Sequence, residues 1–350
     1  MKIHSYILLL ALGVLAARCG DDETVEFGGR LPGSEDGGYE SHWYYSYEAA
    51  RLIDAESLGM SASESFVPYT VAHSGDTVFI ANTGSDGNSL LLFDDNKGKL
   101  LRTVKSWTIG NKTEAFGSQI EAIIPSGDRL YVAERQSLIH VFRLPDMAYV
   151  TCIGNGTWSG PVFQAQALAV QDSLIFARDK NGMISIYRES DVTKENYRNV
   201  NRYRRAGNNG SPGNNGFAAH CMLPDTAGHI LLTDYEGRKI RVLDPSLVSG
   251  DMADGASIDV DSLSMSLDFK PKTLAFGDGR MYVTGDNDVV NIYDGRRKER
   301  VKKLKTVKGY EFLQPARIYS QNDTVFWVSD MHGGSRTLVK MIVHKGEIRE

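Results

Sequence analysis

Leu130-Tyr131-Val132-Ala133-Glu134 is a short apolar run closed by a small residue and then a charged one. Strict alternation of apolar and polar residues marks a strand with one wet face. An uninterrupted apolar run of this length marks a strand buried on both faces. The pattern recurs at Val78-Phe79-Ile80-Ala81-Asn82, Leu174-Ile175-Phe176-Ala177-Arg178 and Ile230-Leu231-Leu232-Thr233-Asp234. It continues at Met281-Tyr282-Val283-Thr284-Gly285, with Asp286 behind, and at Phe326-Trp327-Val328-Ser329-Asp330. Upstream of the copies stand Phe66, Phe116, Phe163, Phe217, Phe269 and Phe312, at intervals of 50, 47, 54, 52 and 43 residues. A further strand-like segment follows each copy, around Phe93, Phe142, Tyr187, Leu243, Tyr293 and Met341. No long segment sustains a 3.6-residue period, so helices are minor.

Repeats of this length, each with three or four short strands, are read as blades of a β-propeller. One blade cannot bury both faces of its second strand, whereas a ring of like sheets can. The sequence therefore predicts an all-β, six-bladed propeller with four-stranded antiparallel blades over residues 43–350. After the last third strand too few residues remain for an outer strand, while residues 44–53 form a spare strand-like segment upstream of the first Phe. That segment is predicted to complete the last blade and close the ring. An open sandwich would leave long free edges, which invite aggregation.

Composition narrows the possibilities. The 350 residues carry three cysteines, Cys19, Cys152 and Cys221, with no Cys-x-x-Cys pair, so neither a disulfide framework nor a thiolate zinc site is indicated. Cys152 and Cys221 are expected to be free. The net charge of −5 gives no general attraction to nucleic acid.

The N-terminus reads as an address. Lys2 precedes a run of small and apolar residues over 5–17, too short to cross a bilayer, which takes about 20. Such a segment is an export signal. Leu15-Ala16-Ala17-Arg18-Cys19 resembles a bacterial lipobox, with Arg18 where a small residue is usual. This predicts a signal peptide over residues 1–18, lipidation of Cys19, and a Gly- and acid-rich tether over 19–42. The expected location is the cell envelope, as an outer-membrane lipoprotein on its surface or periplasmic side. Cleavage near Ala17 to give a soluble periplasmic protein is the alternative.

The stretch Leu231-Leu232-Thr233-Asp234-Tyr235-Glu236-Gly237-Arg238-Lys239-Ile240-Arg241-Val242-Leu243-Asp244 resembles an NHL repeat. From about residue 44 to 343 the chain resembles the NHL and TolB-like six-bladed propeller lipoproteins of Gram-negative bacteria. The resemblance implies a fold more than a function, since propellers host binders, scaffolds and enzymes alike.

In a propeller the inner strands start around a central channel. Three residues after each Phe stand Tyr69, Gln119, Gln166, His220, Lys272 and Pro315, and closing the second strands are Asn82, Glu134, Arg178, Asp234, Gly285 and Asp330. Together they are expected to form concentric polar rings at the channel mouth, or else to cap strand ends and satisfy loop backbones. A mixed-charge mouth suits a protein, peptide or glycan ligand, with no cofactor, and binding or scaffolding is the favoured activity. The alternative is a metal-dependent hydrolase or lyase similar to gluconolactonase, with Glu121, Glu134, Asp234 and Asp330 near the mouth. Lys272, Arg178 and His220 would disfavour a divalent cation there. No Gly-x-Ser-x-Gly or His-Glu-x-x-His motif occurs. The Gly/Asn stretch 207–216 reads as a connection between blades. Trp107 and Trp158 are expected to pack over blade edges or to stack on a ligand, and the basic run 296–308 reads as a solvated outer face.

Overall fold

The computed structural model describes residues 24–27, 42–61, 63–84, 86–157, 164–180, 182–206, 219–248, 264–295, 298–332 and 335–348. Cys19, Phe163, Phe217, Trp158, the stretch 207–216 and most of the predicted tether lie outside them.

Six antiparallel sheets stand in a ring, each with its first strand innermost. Blade 1 comprises Pro68–Ser74, Thr77–Gly84, Gly87–Asp94 and Lys99–Val104. Blade 2 comprises Ile120–Ser126, Arg129–Glu134, Leu138–Arg143 and Ala148–Ile153. Blade 3 comprises Ala167–Gln171, Leu174–Arg178, Ile184–Arg188 and Arg204–Ala206. Blade 4 comprises Met222–Pro224, Ile230–Asp234, Lys239–Leu243 and Met265–Ser266. Blade 5 comprises Pro271–Gly277, Arg280–Gly285, Val290–Asp294 and Arg300–Leu304. Blade 6 takes Pro315–Ser320, Val325–His332 and Ser335–Ile348 from the end of the chain and His42–Ile53 from its beginning.

The sequence markers fall into register. Val78 pairs with Phe93, Leu130 with Phe142, Ile175 with Tyr187, Ile230 with Leu243, Met281 with Tyr293 and Phe326 with Met341. The second strands are buried along almost their whole length, as their unbroken apolar sequences require. Hydrophobic clusters accordingly run between neighbouring blades: one joins Leu92 and Phe79 of blade 1 to Leu130 and Phe142 of blade 2.

Ring closure follows the predicted route and is thoroughly tied down. His42–Ile53 pairs antiparallel with Ser335–Ile348 from His42 opposite Ile348 to Ile53 opposite Leu338. Tyr45, Tyr47 and Ile53 of this strand are buried. The Arg280 guanidinium of blade 5 lies 3.3 Å from the centre of the Tyr45 ring and donates to the Tyr47 hydroxyl at 2.9 Å. Thr24–Phe27 adds a further antiparallel strand outside it, with Val25 opposite Tyr44.

The Phe markers have a repeated physical role. Phe66, Phe116, Phe269 and Phe312 are all buried. In each case the next residue donates its backbone N–H to the polar side chain that closes the second strand. The pairs are Val67 to Asn82 (2.6 Å), Gly117 to Glu134 (3.1 Å), Lys270 to Asp286 (2.9 Å) and Leu313 to Asp330 (2.7 Å). A buried ring followed by a clamped amide fixes the chain as it enters each inner strand, and the polar partner leaves no buried donor unpaired. Blade 5 uses Asp286 rather than residue 285 for a steric reason. A Cβ on Gly285 would run into the Phe269 ring and lie 2.5 Å from the Lys270 carbonyl oxygen.

The small residue before the polar one has a second use. Thr233 donates its hydroxyl to the Lys272 carbonyl at 3.0 Å, Thr284 to the Ala316 carbonyl at 3.1 Å, and Ser329 to the Pro68 carbonyl. Each bond runs from one blade to the inner strand of the next, and the last crosses the closure. Blades 1–3 carry alanine there, Ala81, Ala133 and Ala177, and these lie in the apolar clusters between blades.

Candidate functional site

The inner strands of blades 1, 2, 5 and 6 each hold one residue outside the pairing register. Pro68 and Thr70 pair with Asn82 and Ala81, passing over Tyr69. In the same way Glu121, Lys272 and Ala316 are passed over. Such bulges re-aim a side chain out of the regular pleat. Three of the four, Tyr69, Glu121 and Lys272, are polar.

Their focus is Arg317, which sits one residue beyond the blade 6 bulge and is 8% exposed. Its guanidinium crosses the axis of the ring. One nitrogen donates to the His220 carbonyl of blade 4 at 3.0 Å, and another lies 3.8 Å from the Glu121 carboxylate of blade 2. The group also stacks over the Tyr69 ring of blade 1 at 4.1 Å. Arg135 holds the other side of Glu121, at 2.6 Å. Beneath this bridge lies a narrow cavity of about 70 Å³, bordered by Thr70, Glu121, His220, Thr273, Arg317 and Ser329. The channel is therefore spanned by a charged side chain rather than open.

Tyr69, Gln119, Gln166, His220, Lys272 and Pro315 lie at or just before the starts of the inner strands. Tyr69, Gln119, Gln166, His220 and Lys272 are half-buried, and Pro315 is buried. The Oε1 atom of Gln166 is buried without a hydrogen-bond partner among the described residues. His220 packs edge-on to Tyr235, ring centres 5.5 Å apart. Burial, then the charges of Arg317, Lys272, Arg135 and Arg178, push its imidazole down to about 4, so it is neutral near pH 7. Lys272 is likewise lowered, by burial and by Arg317, with Asp286 and Asp288 acting in the opposite direction.

The second-ring residues are more deeply set. Asn82, Glu134, Arg178, Asp234 and Asp330 are all buried. Asn82, Glu134 and Asp330 hold the loop amides already described. Asp234 accepts from the Gly237 amide at 2.7 Å and pairs with Arg241 at 2.6 Å, and Arg178 donates to the Gly182 carbonyl at 3.2 Å. Their contacts are those of strand-end caps. Glu121, Glu134, Asp234 and Asp330 are thus each already engaged by an arginine or a backbone amide. Among the described residues no group of three or more His, Cys, Asp or Glu is disposed to hold a metal ion.

Three members of the mouth escaped sequence reasoning: Arg317, Arg135 and Tyr235. Counting three residues from Phe312 reaches Pro315, two short of Arg317. The available signal was polarity at the fifth residue after the Phe, where Glu121 and Arg317 replace the Val71, Leu168, Met222 and Leu274 of the other blades. Trp107 adopts the packing role. It is buried on a small hairpin, Ser106–Ile109 with Lys112–Ala115, stacked on Tyr149 at 5.1 Å and edge-on to Phe116, His140 and Phe142. Cys152 and Cys221 are free. Of the basic run, Arg300 pairs with Asp268 at 2.5 Å and Lys308 with Glu48 at 3.6 Å.

Fold and channel together define a six-bladed β-propeller with a polar, charge-bridged mouth. Its likeness to solved structures is broad and distant. A structural-genomics protein of unknown function from Bacteroides thetaiotaomicron is similar over 91% of this chain and 84% of that one, at 10% identity and a TM-score of 0.59. U3-55K is similar over 81% and 78% of the two chains, at 10% identity and a TM-score of 0.54. The β-propeller domain of Myceliophteria thermophila Cps50 (Swd1) is similar over 85% of this chain and all of that one, at 11% identity and a TM-score of 0.53. At these identities the likeness establishes the propeller fold alone. No family model matches the sequence. No curated protein matches it.

Proposed function

We propose that this chain is an exported, lipid-anchored binding module of the NHL/TolB-like kind that receives a protein, peptide or glycan partner on its channel-mouth face. Cys19 is the acylated residue in this reading, residues 19–42 are the tether, and the protein works in the cell envelope. The observation that carries the binding reading is the convergence at Arg317. Blades 1, 2, 4 and 6 contribute to one contact set there, Lys272 of blade 5 stands half-buried at the same rim, and the Gln166 Oε1 of blade 3 has no hydrogen-bond partner among the described residues. Groups left unsatisfied beside a concave polar mouth are what a ligand completes. Asn82, Glu134, Asp234 and Asp330 hold the loops around it and set its shape.

The test is affinity capture from native membranes with the natural chain and with a Gln166→Ala/His220→Ala/Lys272→Ala variant. Loss of a captured partner supports the mouth as the site, and an unchanged set of partners removes it. Mass spectrometry of the mature N-terminus tests the anchor: a diacylglyceryl mass on Cys19 is expected, and a free, unmodified terminus abolishes that part of the reading.

A further inference from the structure

Resting on the binding reading above, we infer that the group recognised at the channel mouth is a carboxylate, received between the Arg317 guanidinium and the Lys272 ammonium. The cations at the mouth outnumber the carboxylates in direct contact with them among the described residues. Arg317 and Arg135 share one carboxylate, Glu121, which lies 2.6 Å from Arg135 and 3.8 Å from Arg317, while Lys272 feels Asp286 and Asp288 without an ion pair to either among the described residues. The longer separation exceeds a hydrogen bond, so Glu121 is committed mainly to Arg135. Arg317 spends one nitrogen on the His220 carbonyl and rests its face on Tyr69, which orients the planar fork and leaves donors unused. Lys272 is raised out of its strand by a bulge, half-buried, and forms no ion pair among the described residues, Asp286 and Asp288 acting on it only from farther away. A partly desolvated, unpaired ammonium beside a preoriented guanidinium is costly to keep unless an anion completes it.

A planar carboxylate matches a guanidinium fork with two parallel hydrogen bonds. The neighbours suit the rest of such a ligand. Gln166 offers an amide, His220 a neutral imidazole that can donate or accept, and Tyr235 an aromatic edge beside it. Burial first, and then the positive charges of Arg317 and Lys272, hold the proton affinity of His220 down.

Two sources can supply the carboxylate, an acidic sugar or a peptide C-terminus, so calorimetry takes two probe pairs. D-glucuronate is compared with D-glucose, and N-acetylglycylglycine with its C-terminal amide. In at least one pair the acid binds at millimolar or lower concentration while its neutral counterpart is at least about ten-fold weaker, and the pair that shows this names the source. Lys272→Met, which removes an unpaired charge, weakens the acid about ten-fold or more with an unchanged melting curve. NMR of His220 supplies an independent reading: the bound acid raises the pH at which the ring titrates, and the neutral probes do not. The inference is overturned if both acids bind no better than their neutral counterparts, or if Lys272→Met binds the acid as the natural chain does. A neutral probe that binds and is lost in the triple-alanine variant would defeat the carboxylate while leaving the binding module intact.

Discussion

Thr284→Val isolates the hydroxyl stitch between blades 5 and 6. Thr284 is fully buried, and its hydroxyl meets the Thr273 hydroxyl at 2.9 Å and donates to the Ala316 carbonyl at 3.1 Å. Valine keeps the branched shape and the β preference, so packing is conserved and only the hydrogen bonds go. Two net hydrogen bonds of about 1 kcal/mol each, together with a buried carbonyl left unpaired, put the loss at about 2–3 kcal/mol. The comparison that gives this number meaning is Thr151→Val. Thr151, in the outer strand of blade 2, is equally buried, yet its hydroxyl has no partner among the described residues. Removing a desolvated, unpaired hydroxyl relieves a cost, so this variant is expected to gain about 1 kcal/mol. Urea unfolding of both variants, with slopes unchanged from the natural chain, reads the two free energies directly. Opposite signs are expected. Two losses of similar size would refute the reasoning, because burial of a threonine and not its bonding would then govern the cost.

Removing residues up to Asp54 strips Tyr45, Tyr47 and Ile53 from the core, each worth about 1.5–3 kcal/mol, and bares the edge of Ser335–Ile348. Such a chain is expected to aggregate, and a monodisperse monomer with the natural melting temperature on gel filtration and calorimetry would contradict the closure energetics. The imidazole of His220 titrates near 4 in the fold against about 6.5 in an unfolded chain. The unfolded state therefore binds more protons within that interval, and stability falls as pH is lowered through it. His220→Asn should flatten this part of a stability–pH curve measured by urea unfolding. Burial raises the Cys152 thiol to about 12 and the Cys221 thiol above its usual range. Both should resist a thiol reagent at pH 8 in the native protein and react in denaturant.

Much of this architecture could be read before any coordinates, because burial on both faces writes itself into composition. Leu130-Tyr131-Val132-Ala133 and its five relatives have no other home than a sheet between sheets, and residues 44–53 had one vacancy to fill. The Phe spacing found the starts of the inner strands. Details of the mouth were less legible. A bulge adds one residue to a strand without changing its hydrophobic signature, so Arg317 stood outside the count from Phe312 although it is the group on which the mouth is built. The hydroxyls of Thr233, Thr284 and Ser329 were equally concealed. In sequence they register as small residues like Ala81, and only the approach of the neighbouring inner strand turns them into donors. Asn82, Glu134 and Asp330 stand at the ends of the second strands, and their atoms are occupied with loop amides.

The strand that completes blade 6 is among the first parts of the propeller to be synthesised, and its partner among the last. Pairings such as Tyr45 with Lys345 span almost the whole chain. Contacts of such sequence separation carry the largest loop-closure cost and form late. Blades 1 to 5 can assemble as a growing arc, but the arc keeps two exposed ends until residues 335–348 arrive. A chain built this way completes its fold in a single locking event, after the last strand has been made.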